Sequence, residues 1–216
     1  MRIIKSFRRS ISIHIEEDGS AIVRAPKFMP DIFIEKFVGD HKPWIEKHSK
    51  LMQLRPKKRK RMFADGETFL FLGAEYTLKV GAYKTIETSG SHLLFPKHLE
   101  FRIEKELAAW YLHHAMEIIK KQVAEHEKIM GVTHSEIYFS DTRSKWGSCS
   151  HDDRLQFNWR LVMAPMLVLR YVVIHELAHT MEKNHSRAFW DKVAQYNPSY
   201  RQQIKWLKTH GHTLMM

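Results

Sequence analysis

At 216 residues, 44% of them hydrophobic and 27% charged, the chain is long enough to bury a substantial core in one domain or two closely packed lobes. No stretch approaches the roughly 18 apolar residues of a membrane span, and the start Met1-Arg2-Ile3-Ile4-Lys5 lacks signal-peptide architecture. A single cysteine excludes an internal disulfide. A cytoplasmic protein with no membrane partner is therefore expected, while a net charge of +11 keeps anionic partners in play.

From the N-terminus, Ile11, Ile13 and Ile15 alternate with Ser12, His14 and Glu16. Asp18-Gly19 and the strand-like Ala21-Ile22-Val23 follow, which is the pattern of a β-hairpin. Apolar positions at Ile34, Phe37, Val38, Trp44, Ile45 and Leu51, interrupted by Gly39 and Pro43, predict two short helices between residues 31 and 54. Arg55, Lys57, Lys58, Arg59, Lys60 and Arg61 then place six cations in seven residues. This run reads as a solvated linker, with contact to phosphates of nucleic acid or nucleotide as the alternative.

A second hairpin is expected over residues 68–80, turning near Gly73-Ala74, and another strand pair over 86–95 around Ser89-Gly90. Residues 99–130 form a long charged amphipathic pattern stopped at Gly131. Leu155, Phe157, Trp159 and Leu161 alternate with Gln156, Asn158 and Arg160, as in a strand with one buried face. We place the organisational boundary between a β-rich part with short helices, 1–97, and a core, 98–216.

The most specific chemistry lies in His175-Glu176-Leu177-Ala178-His179, behind the apolar run 166–174 that opens at Pro165. On a helix, positions i and i+4 share a face, so His175 and His179 can present nitrogens to one ion. Glu176 lies about 100° around from His175, placed to reach a water rather than the ion. With 15 His in the chain, a chance match to this pattern is roughly 5–10%, and requiring His185 six residues after His179 lowers it about tenfold.

His185 ligates only if the helix ends first. On an unbroken helix it would sit about 600° beyond His179, on the far side. Glu182 stands where a three-histidine peptidase site has its helix-ending glycine. Asn184 is the expected left-handed residue, and Glu182 is the substitute third ligand. Cys149 is expected to pack beside Trp146 rather than act as a nucleophile.

Arg143-Ser144-Lys145-Trp146-Gly147-Ser148-Cys149-Ser150, Phe157-Asn158-Trp159-Arg160-Leu161 and Ala164-Pro165 precede this motif, and Asn184-His185-Ser186 and Phe189-Trp190 follow it. In these segments the chain resembles the YgjP-like metallopeptidase-domain family, whose general relatives are the SprT-like and WLM zinc peptidase domains. The resemblance is sharpest over 137–190. It implies an α+β fold with a zincin-like, minimal gluzincin-type core: a twisted β-sheet and a helix carrying the two histidines.

It further implies a hydrolytic Zn2+, or another divalent metal, held by His175, His179 and His185, with Glu176 as general base. A peptide or protein substrate is the leading expectation. A nucleotide substrate is the alternative, because the family name has also been attached to nucleoside triphosphate (UTP) pyrophosphatase activity. A nucleic-acid-associated protein with a SprT-like site is a third reading. Arg143, Trp146, Asn158 and Arg160 are candidate substrate-binding residues, each with a structural role as its alternative. A strand near 155–161 could pair with an extended peptide.

Overall fold

The computed structural model describes residues 1–16, 18–54, 61–142 and 144–214, and the chain divides into two compact units, Met1–Lys60 and Arg61–Met216. The cations at 55–60 of the basic run, and Arg143, lie outside the described residues.

In the first unit, β2 (Ser12–Ile15) and β3 (Ala21–Pro26) form the expected antiparallel hairpin, and β1 (Arg2–Ser6) adds a parallel strand on the other side of β3. Its turn contains Gly19 at φ +83°, where a Cβ would meet the Gln53 side chain at 2.6 Å. Two helices follow, α1 (Asp31–Asp40) and α2 (Lys42–Gln53). The interruption falls at His41 and not at Gly39, because Pro43 has no N–H to continue the ladder to the Gly39 carbonyl. The core of this unit is small: Val23, Ala25 and Ile34, with Ile11, Ile13, Met29 and Val38 packed against them.

The second unit opens with β4 (Thr68–Phe71), β5 (Ala74–Gly81), β6 (Glu87–Ser89) and β7 (His92–Pro96), in the spatial order β4-β5-β7-β6. Both expected hairpins are present. The first turns through Leu72 and Gly73, both at positive φ, and their amides donate to the carbonyls of Val162 and Met163. Gly73 packs so tightly on Pro165 that a Cβ would lie 2.8 Å from its Cα, so this hairpin tip braces the segment leading into the histidine helix. The long helix α3 (Ile103–Met130) starts after a 3-10 turn at Lys97–Arg102 and ends at Gly131 with φ +68°.

Phe69, Leu78, Leu93 and Phe95 of the hairpins enclose a core with Ile103 and Leu107 of α3. This shared burial joins the hairpins to the helix within the second unit.

A second sheet comprises β8 (Glu136–Ser140), β9 (Gly147–Cys149) and β10 (Arg154–Asn158), with β10 central between parallel β8 and antiparallel β9. The strand read over 155–161 stops at Asn158, whose side-chain carbonyl accepts the Arg160 N–H and turns the chain into a 3-10 segment, Trp159–Met163. Sequence alternation misleads there because all five residues of that segment are buried.

Three helices complete the unit: α4 (Met166–Met181), α5 (Arg187–Tyr196) and α6 (Tyr200–His210). Tyr111, Ala115, Ile119 and Val123 of α3, recurring every four residues, pack with Leu155 and Phe157 of β10 and with the apolar length of α4. Buried residues face every side of α4, as expected of a helix running through a core. The protein is thus a mixed α+β structure of small sheets and helices. No helix among the described residues is long and apolar enough to cross a membrane.

Candidate metal centre

His175 and His179 lie one turn apart in the last half of α4, and their rings are 5.0 Å apart, centroid to centroid. His185 joins them because α4 ends at Met181: Glu182 is fully extended at φ −135°, ψ 104°. That departure needs no residue at positive φ, and Asn184 has none, which corrects the expectation of a left-handed residue there. An extended Glu182 at the exit replaces the glycine. Ser186 then caps α5, its hydroxyl accepting the Phe189 N–H at 3.3 Å, and so fixes His185 at the entry to α5.

Among the described residues, His175, His179 and His185 each offer one nitrogen, and these atoms all lie within 4.8 Å of one another. The Nε2 atoms of His175 and His185 are 3.1 Å apart. Two nitrogens bound to one tetrahedral zinc at about 2.0–2.1 Å would stand about 3.3 Å apart, so the spacing fits the donor set.

The Nδ1 atoms of His175 and His179 each have a neighbour. Nδ1 of His179 donates to the Glu182 carbonyl at 3.0 Å, and Nδ1 of His175 is 3.4 Å from the Tyr171 hydroxyl. The carbonyl fixes His179 with its proton on Nδ1 and leaves its Nε2 free to ligate. Burial, reinforced by the charges of the neighbouring imidazoles, holds His175 down to about 3. Burial likewise lowers His179. Both are therefore neutral near pH 7, the form that binds a metal. Glu182 meets the cluster through its carbonyl, and among the described residues the converging donors are the three histidines.

The imidazoles rest on aromatic residues that the sequence pattern did not assign to the site. Phe189 is fully buried, with its ring 4.4, 4.8 and 4.9 Å from those of His179, His185 and His175. Trp190 stacks against His185 at 5.6 Å and against Tyr200 at 5.4 Å. Both belong to α5, so the helix that positions His185 also supplies the wall behind all three rings. The available signal was the position of Phe189 three residues after the Ser186 cap.

Glu176 is 5% exposed and faces β9. A Cβ at Gly147 would lie 2.5 Å from its Oε1 and 2.7 Å from its Cγ, so only glycine admits the carboxylate here. Burial pushes Glu176 up to about 8, opposed by the positive charge of Lys145. A cation held by the three histidines would oppose burial in the same sense and favour the carboxylate.

The remaining expected site residues are committed elsewhere. Asn158 is 1% exposed; its amide donates to the Thr142 carbonyl at 2.6 Å while its carbonyl caps Arg160. Arg160, 7% exposed, pairs with Asp141 and lies 4.2 Å over the Trp159 ring. Trp146 packs against the main core, and a Cβ on Gly211 would come within 3.0 Å of it. Arg61 donates to the Thr68 carbonyl at 2.8 Å and lies 4.8 Å over Phe69, a structural placement for this end of the basic run. Burial raises the Cys149 thiol, which packs against the main core.

Three convergent imidazoles with a carboxylate buried against the adjoining strand are the side-chain equipment of a metal-dependent hydrolase. The chain belongs to the YgjP-like metallopeptidase-domain family, whose model matches residues 9–210. Among solved structures it is similar to the metallopeptidase zymogen jannalysin of Methanocaldococcus jannaschii, at 24% identity over 42% of this chain and 95% of that one, with a TM-score of 0.38. It is also similar to the metallopeptidase zymogen abylysin of Pyrococcus abyssi, at 18% identity over 42% and 92% of the respective chains, with a TM-score of 0.39. A search of curated proteins finds no significant match.

Proposed function

We propose that this protein is a zinc-dependent peptidase with a zincin-like core, in which His175, His179 and His185 hold the ion and Glu176 is the general base. The observation that carries this reading is the convergence of the three imidazole nitrogens within 4.8 Å, one residue along the chain from a carboxylate at 5% exposure. Bound there, a divalent ion would supply Lewis acidity, polarising a scissile carbonyl and acidifying a water.

Glu176 takes the proton from the attacking water and delivers it to the leaving amine. Gly147 admits this carboxylate, the Glu182 carbonyl holds His179 in the ligating tautomer, and the Tyr171 hydroxyl lies beside Nδ1 of His175. Phe189 and Trp190 exclude water from the back of the imidazoles.

The substrate is an extended peptide added to the sheet at β9. The strand singled out from sequence, β10, is central, whereas β9 is an edge that runs beside α4: Gly147 meets Glu176, and Cys149 lies 3.9 Å from the Lys183 ammonium just past the helix end. Two of the cations considered for phosphate, Arg61 and Arg160, are already paired within the protein, which weighs against the nucleotide reading.

The test is turnover by metal-defined wild type and Glu176→Gln, side by side, on a mixture of unfolded proteins and on nucleoside triphosphates. The expected result is proteolysis by the wild type only, reduced by about 10²–10⁴-fold in the variant at unchanged zinc content. Pyrophosphate release by the wild type without proteolysis would replace this reading with the nucleotide one.

A further inference from the structure

Lys145 lies two residues before β9, with its ammonium 2.8 Å from the Ser148 hydroxyl. It is close enough to Glu176 for its charge to act on that carboxylate. Among the described residues the neighbouring cations are paired: Lys183 with Asp153 at 2.5 Å, Arg154 with Asp152 at 2.9 Å, and Arg160 with Asp141. Lys145 is exposed, and its only described hydrogen bond is the neutral one to Ser148, which leaves two of its three protons for another acceptor. No strand among the described residues covers the outer edge of β9.

Together these place beside the edge strand a cation that forms no ion pair among the described residues, though its charge reaches Glu176, two residues before the glycine that touches that carboxylate. We infer that Lys145 determines specificity by binding a carboxylate side chain of a peptide aligned on β9, and that the preferred substrates are acidic near the scissile bond. The inference rests on the peptidase reading.

The chain bends at Ser144 and Trp146, and the Lys145 ammonium is held at Ser148, next to Gly147 in β9. The recognised carboxylate therefore belongs to a residue within about two positions of the one opposite Glu176. A Glu side chain reaching the Lys145 ammonium completes its hydrogen bonding, whereas a Gln offers no charge and a Lys is repelled. Ser148 holds the ammonium beside β9, so the selection is made by a positioned group rather than a freely moving one.

The test uses the full-length zinc-loaded protein and a peptide it cleaves, remade with Glu, Gln or Lys at each of the three positions on either side of the cut bond. For wild type, Glu should exceed Gln in kcat/KM by roughly three- to tenfold at one position within about two residues of the cut, with Lys poorest. Lys145→Met should abolish the Glu preference at that position, and Lys145→Glu should reverse it in favour of Lys. A merely structural lysine would not give this reversal.

Cleavage by wild type with no charge preference, or a Glu preference surviving in Lys145→Met, overturns the role of Lys145 while the peptidase reading stands. Absence of cleavage of any peptide by the zinc-loaded wild type overturns both.

Discussion

The first unit carries 15 Lys and Arg against 7 Asp and Glu in residues 1–60, over a core of three fully buried apolar side chains. The second unit is nearly balanced, with 20 against 17 in residues 61–216, and closes a far larger core around α4. Its buried polar groups are correspondingly numerous: Asn158, Arg160, Glu176 and His179 are all at or below 9% exposure. In the first unit, Phe7 and Phe28 remain 82% exposed, with Lys27 4.7 Å over the Phe7 ring. Fixing ionisable groups away from water requires a core large enough to hold their partners as well, and only the second unit has one. The candidate chemistry accordingly lies where burial is deepest, not where charge is greatest.

The comparison breaks most readily at Ile34, fully buried in the small core. Ile34→Ala should remove about 2–5 kcal/mol, read as lost hydrogen-exchange protection in β3 and α1. Zinc binding should be unchanged, since all three candidate ligands belong to the second unit; a weakened zinc affinity would show that the two regions are not separable in this way.

Gly147→Ala sharpens the contrast from the other side, because the added methyl must displace Glu176 or the β9 backbone. Overpacking of about 1–3 kcal/mol is expected in thermal unfolding, together with a fall in proteolysis of about 10²-fold at retained zinc binding. Normal turnover in a folded Gly147→Ala protein would remove β9 from the site.

The smallest effect concerns pH. Burial raises Glu176 to about 8, so in the metal-free protein its contribution to stability is fully present below about pH 4.5 and is lost as pH rises through about 8. Glutamine has no such dependence. Metal-free Glu176→Gln should therefore gain stability on wild type steadily as pH rises from 5 to 8, in paired melts with chelator. His175, held down to about 3, loses its contribution as pH falls from about 6.5, equally in both proteins, and drops out of the difference. A constant gap across that range would mean that Glu176 is ionised throughout.

The periodicities that marked hairpins, two short helices and a long helix were readable because each depends on local chemistry. Asp18-Gly19 makes a turn, Pro43 breaks a helix, and Gly131 adopts the left-handed cap. The spacing of His175 and His179 was equally local, set by one helical turn. Where alternation ran past Asn158 it misled, because a side-chain cap and complete burial ended the strand without changing the apolar pattern.

Sequence alone thus determined the elements, the helical pair of histidines with Glu176 beside them, and the resemblance to a family. The tertiary structure decided what those residues meet. It bent the chain at an extended Glu182 so that His185 could join His175, seated the three rings on Phe189, and made β9 rather than β10 the edge strand. Each of these depends on contacts between residues distant along the chain, or on a backbone angle that packing selects, and neither leaves a periodic trace in the order of amino acids.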